Sequence, residues 1–261
     1  MTRGAEPILH YEFHQGAGGP ALLLVHGFLS SGAQWAANIE GMKAFCSPVT
    51  VDLWGHGRSP SPDDPALYTP AGYVRQFERI REALGQARWA LCGASFGAGL
   101  TLQYALAHTN RVTRQVFTNS MSGLAWTPAP DEGRETRAAA IETGGRAGLA
   151  DMPFHPRFAK RLAPAVVEGL MEDAERLDPR GIANAMRYTG HLLSAASRFG
   201  ETSVPTLLIN GLWEKAFQPV RAFAAETLQS LEVVDIEGGH SINAEAPDTF
   251  NAALRAFLEK A

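Results

Sequence analysis

Short apolar, β-branched runs bounded by glycine, proline or polar residues recur at residues 8–13, 21–26, 48–53, 89–95, 115–119, 206–210 and 232–237. Each reads as a strand. Ala21-Leu22-Leu23-Leu24-Val25 and Thr206-Leu207-Leu208-Ile209 lack polar alternation, as expected of parallel strands covered on both faces. Between the strands lie helical spacings. Val74, Phe77, Ile80 and Leu84 form one apolar face, and Phe250, Ala253, Leu254, Phe257 and Leu258 form another behind Pro247, which suits a first helical turn. Strands alternating with helices imply right-handed crossovers and a doubly wound sheet, with the ligand site at the carboxyl ends of the strands.

The rhythm changes over residues 124–198. No strand pattern occurs there; Phe158, Leu162, Val166 and Leu170 mark a helix, and Pro128, Pro130, Gly144, Gly145, Pro153 and Pro156 punctuate the segment. Strands resume at Thr206, and the segment looks too poor in apolar residues for a core of its own. The reading is therefore a helical insertion, 124–198, in a core made of residues 1–123 and 199–261.

Composition narrows the class. With 261 residues, 45% hydrophobic and 19% charged, the chain is neither disordered nor collagen-like nor a disulfide-stapled miniprotein. Its net charge of −4, without long runs of one sign, gives no footprint for a nucleic-acid partner. Cys46 and Cys92 are too few for a zinc site or a disulfide framework and read as free, buried thiols. The first residues lack the apolar stretch of a secretion signal, and no run approaches a membrane span. The expectation is a cytoplasmic protein without a membrane partner.

One motif carries chemistry. Gly93-Ala94-Ser95-Phe96-Gly97 follows the apolar run from Trp89 and precedes a buried helical pattern from Ala98. That is strand, tight turn, helix, with glycines where a side chain would strike neighbouring backbone and with serine pushed outward.

Together with four other landmarks, this motif resembles the α/β-hydrolase superfamily. The others are His26-Gly27-Phe28 after a buried strand, Asp52-Leu53-Trp54-Gly55-His56-Gly57-Arg58-Ser59, Gly211-Leu212-Trp213-Glu214 after a late strand, and Gly238-Gly239-His240. The resemblance covers nearly the whole chain in order. It implies an α/β-hydrolase fold: a mostly parallel doubly wound sheet with an inserted helical cap. It further implies Ser95 as nucleophile, His240 as general base and later acid, and an oxyanion hole built from the backbone N–H groups of Phe28 and Phe96. The competing reading of Ser95 is a helix N-cap.

The acid departs from the family pattern, since relatives carry aspartate where this chain has Glu214. A glutamate can hold the imidazole tautomer, but its extra methylene demands a shifted backbone or histidine. Asp131 and Glu237 are the remaining candidates, and the segment Asn119 to Gly123 offers no carboxylate. His26 and His56 read as structural, Asp52 as the cap of its own loop and Arg58 as a packing cation. Trp35, Trp54, Met121, Trp126 and Trp213 are candidates either for pocket walls or for ordinary packing.

The resemblance implies hydrolysis of a small carboxylic ester or lactone through an acyl-enzyme, with a small-molecule substrate, no cofactor and no metal. Carbon–carbon cleavage of a diketone-type ring-fission product, cofactor-free perhydrolysis and non-catalytic ligand binding remain as alternatives. A polar cap lined to hold an acidic ketone would favour carbon–carbon cleavage; a dry cap around Phe28 and Phe96 would favour an ester or lactone. Oligomeric state stays open.

Overall fold

The computed structural model describes residues 6–124 and 133–260. Among them are the strands β1 (Tyr11–Phe13), β2 (Ala21–Val25), β3 (Ser47–Val51), β4 (Trp89–Gly93), β5 (Val112–Thr118), β6 (Thr206–Gly211) and β7 (Glu232–Ile236). They form one sheet in the order β1-β3-β2-β4-β5-β6-β7. Only β1 is antiparallel, pairing Tyr11 with Val51; the remaining neighbours run parallel. All seven predicted strands are present. The fifth starts at Val112, ahead of the predicted start, because Thr113 and Arg114 extend the ladder with side chains that hide its apolar character.

The helices are α1 (Ala36–Met42), α2 (Pro70–Ala83), α3 (Phe96–Ala107), α4 (Met121–Leu124), α5 (Arg134–Ala150), α6 (Pro164–Ala174), α7 (Pro179–Tyr188), α8 (Gln218–Thr227), α9 (Ile242–Glu245) and α10 (Pro247–Leu258). Alternate strand residues serve opposite faces of the sheet. Leu23 and Val25 pack with Phe77 and Ile80 of α2 and Leu100 and Tyr104 of α3. Leu22 and Leu24 pack with Met42 of α1 and Phe250, Leu254 and Phe257 of α10. Burial on both faces explains why β2 shows no polar alternation. Cys46 and Cys92 lie free in this interior, and burial pushes the Cys46 thiol up to about 12.

Between β5 and β6 the described residues carry α4 to α7 and no strand. Two expectations for this segment need correction. The helix predicted from Phe158 begins only at Pro164, after a 3-10 turn at Pro156–Phe158. Proline disfavours helical backbone in the residue before it, and Ala163 is accordingly extended, at ψ 142°. The segment also has a small core after all, in which Ala138, Ile141, Leu149, Leu177 and Ile182 gather. That cluster closes on Leu29, a residue of the loop after β2, so the helices pack directly onto the carboxyl end of the sheet. α5 bends at Gly145, whose φ of 57° and ψ of −152° interrupt the helix.

Two buried histidines shape the loop after β2. His26 Nε2 accepts the Leu53 amide at 3.0 Å, so its Nδ1–H donates to the Gly27 carbonyl at 2.6 Å. His56 Nε2 accepts the Leu29 amide at 3.2 Å, and its Nδ1–H donates to the Trp54 carbonyl at 2.9 Å. Both rings thereby hold residues 27–29, with Leu29 kept at a φ of 57°. Protonating either ring would turn an Nε2 proton against an amide proton. Burial holds His26 down at about 4, and burial with the neighbouring His26 holds His56 at about 3, against the ordinary 6.5. Asp52 accepts the amides of Gly32 and Arg58 at 2.8 and 2.9 Å, the loop-capping arrangement expected of it. Arg58 itself pairs with Glu12.

The lowered histidine values make stability pH-dependent. Well above pH 6.5 both rings are neutral in the folded and unfolded chain; as pH falls through 6.5 toward 4 only the unfolded chain takes up their protons. Folding stability should then fall by about 1.4 kcal/mol per pH unit per ring. Urea unfolding at pH 6, 5 and 4.5 should show this decline, and His56→Gln should flatten it by roughly one proton's worth. An unchanged slope in that variant would contradict the assignment.

Candidate active site

The turn from β4 to α3 is tightly packed. Ser95 sits at φ 52° and ψ −115°, a strained conformation for a residue with a side chain. It is imposed by close packing: a Cβ on Gly97 would lie 2.3 Å from the Val25 carbonyl oxygen, and one on Gly93 would lie 2.5 Å from Ala98 Cα. Glycine at both positions lets α3 start hard against the ends of β2 and β4. Ser95 makes no capping bond to α3, which sets aside the N-cap reading.

Its hydroxyl instead meets His240. Ser95 Oγ lies 2.8 Å from His240 Nε2, and His240 Nδ1 lies 2.9 Å from Glu214 Oε1. A carboxylate only accepts, so Nδ1 carries the proton and Nε2 presents its lone pair to the serine hydroxyl. Glu214 follows β6 and His240 follows β7, and the two loops are in close register, since Trp213 N–H donates to the Gly238 carbonyl at 2.8 Å. Burial pushes the Glu214 carboxyl up, but the hydrogen bond and charge of His240, with the Asn119 amide, outweigh it and leave the group below the ordinary carboxylate value.

Asn119, at the end of β5, is a residue that sequence reasoning passed over. Its Nδ2 donates to Glu214 Oε2 at 2.8 Å and to the Gly211 carbonyl at 3.0 Å, and its Oδ1 accepts the Gly211 amide at 2.9 Å. It therefore holds the free oxygen of the glutamate and the start of its loop together. The only available signal was a polar side chain at the carboxyl end of a central strand. Ser120 assists by donating to the Ser95 carbonyl at 2.7 Å.

The other candidates fall as follows. The N–H groups of Phe28 and Phe96 donate to no acceptor among the described residues. Their rings are 5.6 Å apart and line the same cavity as Ser95. A buried amide chain steadies the first of these loops: Gln34 Oε1 accepts the Gly27 amide at 3.0 Å, and Gln34 Nε2 donates to Asn243 Oδ1 at 3.2 Å. Glu237 accepts the Trp213 indole N–H at 2.5 Å, while the His240 ring bonds Glu214. Trp35 and Trp54 are core residues, whereas Met121 lines the cavity. Asp131 and Trp126 lie outside the described residues.

The cavity has a volume of about 960 Å³. Phe28, Phe96, Met121, Met152 and Phe154 make much of it apolar, while Arg134, Arg137, Lys160 and Arg161 enter from the helical segment. Among the described residues no group of three or more histidine, cysteine or acidic side chains could hold a metal ion, and no helix is long and apolar enough to cross a membrane.

Comparisons with known proteins agree with this architecture. The chain is 30% identical over 272 residues to a putative carbamate hydrolase of Caulobacter vibrioides, covering 100% of this chain and 99% of the relative. It is 27% identical over 248 residues to a putative 2-succinyl-6-hydroxy-2,4-cyclohexadiene-1-carboxylate synthase of Bacillus subtilis, covering 91% and 90%. The crystal structure of the enol-lactonase from Burkholderia xenovorans superposes with a TM-score of 0.78 at 21% identity, over 97% of this chain and 96% of that one, a likeness of fold. A sequence model of the alpha/beta hydrolase fold matches residues 20–247. Because that match runs from the residue before β2 to the first residue of α10, and so takes in every loop that reaches Ser95, the chain belongs to the alpha/beta hydrolase fold family.

Proposed function

We propose that the protein is a serine hydrolase that cleaves a small carboxylic ester or lactone through an acyl-enzyme, with Ser95, His240 and Glu214 as its triad. The observation that carries this reading is the continuous hydrogen-bond chain from Ser95 Oγ through His240 to Glu214, at 2.8 and 2.9 Å, in the wall of a large cavity. Ser95 Oγ attacks the carbonyl carbon while His240 Nε2 takes the hydroxyl proton. The carbonyl oxygen gathers charge between the Phe28 and Phe96 amides, and one such donor is worth about 3 kcal/mol of transition-state stabilisation. Collapse of the tetrahedral species breaks the bond to the leaving oxygen, which receives the proton from His240. Water, deprotonated by the same nitrogen, then attacks the acyl group and releases the acid and Ser95.

Glu214 serves as the acid by fixing the tautomer and stabilising the imidazolium. The longer side chain is accommodated by Asn119, which takes the oxygen not used by His240. The helices of residues 124–198 act as a cap over the cavity. The Caulobacter relative is named for a carbamate, whose carbonyl differs from that of a carboxylic ester in being bonded to nitrogen as well as oxygen.

A second reading has an observation in its favour. Four cations, Arg134, Arg137, Lys160 and Arg161, line the cavity with the carboxylates Glu214 and Glu245. Glu214 is engaged by His240 and Glu245 by Arg161, which leaves the wall with more positive than negative charge. Such a wall suits a substrate bearing an acid group, as the acidic ketone of a carbon–carbon hydrolase would.

Labelling with a fluorophosphonate tests the shared mechanism. One adduct is expected, on Ser95, lost in Ser95→Ala and in His240→Ala; a folded protein without an adduct would favour ligand binding over catalysis. Glu214→Gln should lower kcat/KM on an activated ester by about 10³-fold or more with folding retained, and wild-type turnover in that variant would remove Glu214 from the triad. A panel of neutral esters, lactones, carboxylate-bearing esters and acidic diketones separates the two readings. A preference for the diketones that fades with added salt would favour carbon–carbon cleavage.

A further inference from the structure

The loop bearing His240 is held from both sides by a carboxylate outside the triad. Glu245, at the end of α9, accepts the Gly239 amide at 2.9 Å and the Ser241 amide at 3.2 Å, so it grips the backbone immediately before and after His240. Its side chain is only 8% exposed, and a buried carboxylate demands a cation or several donors. The cation comes from the inserted helical segment: Arg161 Nε lies 2.9 Å from Glu245 Oε2.

The same guanidinium reaches the other loop of the triad. Arg161 Cζ stands 5.6 Å from the centre of the Trp213 ring, and Trp213 precedes Glu214. Backbone contact is close enough that a Cβ on Gly239 would lie 2.4 Å from Arg161 Nη2. The glycine before His240 thus makes room for the arginine. Arg161 itself sits between the turn at Pro156–Phe158 and the start of α6 at Pro164, with its side chain 57% exposed. One surface side chain of the insertion therefore touches the loops of both the histidine and its acid.

We propose that Arg161 is a latch that ties the inserted helices to the His240 loop through Glu245 and so holds His240 in line with Ser95. The proposal rests on the serine-hydrolase reading above. It makes Arg161 and Glu245 positioning residues. When Arg161 leaves, Glu245 retains two amide donors but loses its countercharge, and the carboxylate is drawn toward water. The Gly239 and Ser241 amides turn with it, and the 2.8 Å contact of His240 with Ser95 opens.

The test uses the whole protein with Arg161→Met, Arg161→Lys, Glu245→Gln and the Met/Gln double variant, each checked for folding by its thermal midpoint. Amide hydrogen exchange at residues 238–241 is read alongside the rate of fluorophosphonate labelling and the kcat and KM on an activated ester. In Arg161→Met, exchange at Gly239 and Ser241 should quicken, and labelling and kcat should each fall by about tenfold with KM changed less than about threefold. Arg161→Lys should recover most of both losses. The double variant should be no worse than Glu245→Gln, because the two side chains act as a unit. Wild-type exchange in Arg161→Met, quickened exchange without loss of kcat, or a rise in KM alone would overturn the latch. Failure of the wild-type protein to label would count against the Ser95 reading, and the exchange result would still decide whether Arg161 holds the loop.

Discussion

Everything at the site depends on how closely α3 approaches the ends of β2 and β4. The glycines at 93 and 97 permit that approach, and the turn between them then has no relaxed conformation open to Ser95, which is held at positive φ. A backbone of that kind costs on the order of 1–3 kcal/mol and survives only where packing over-determines it. Here the buried faces of β2, β4 and α3 supply the packing. The return is a hydroxyl that stands clear of its own helix at the carboxyl end of the sheet, beside an amide that α3 leaves unbonded.

The remaining groups are brought to that hydroxyl by loops, and each loop is secured by buried polar contacts. His26 and His56 act as neutral acceptors for the amides of Leu53 and Leu29, which sets the loop of Phe28. Gln34 and Asn243 link the same loop to α9, whose last residue grips the backbone on either side of His240. Asn119 ties β5 to the loop of Glu214. In a low-dielectric interior such contacts are strong when satisfied and costly when broken, so each loop is held by several of them at once.

Legibility in the sequence followed the reach of each signal. The strands were readable because burial on both faces writes continuous apolar runs, and the elbow because steric exclusion writes glycine at fixed offsets. Phe158 and Leu162 have helical spacing with Val166 and Leu170, yet they precede Pro164, and the proline's effect on Ala163 outweighs the periodicity. The small core of the insertion leaves no local pattern because it is completed by Leu29, more than a hundred residues earlier in the chain. Glu214 is legible as a substitution within a family pattern, whereas the contacts of Asn119 and Arg161 are not, since nothing local marks an amide or a guanidinium by the partner it will meet.

The sequence by itself determined the alternation of strands and helices, the strained serine turn and which side chains the loops carry. These depend on sterics and burial within a few residues. Only the tertiary structure decided that Ser95 and His240, 145 positions apart, stand within hydrogen-bond distance, that Glu214 rather than Glu237 faces the imidazole, and that an arginine of the insertion reaches the histidine loop. Those outcomes are set by strand order and loop packing, which bring together side chains that share no local pattern.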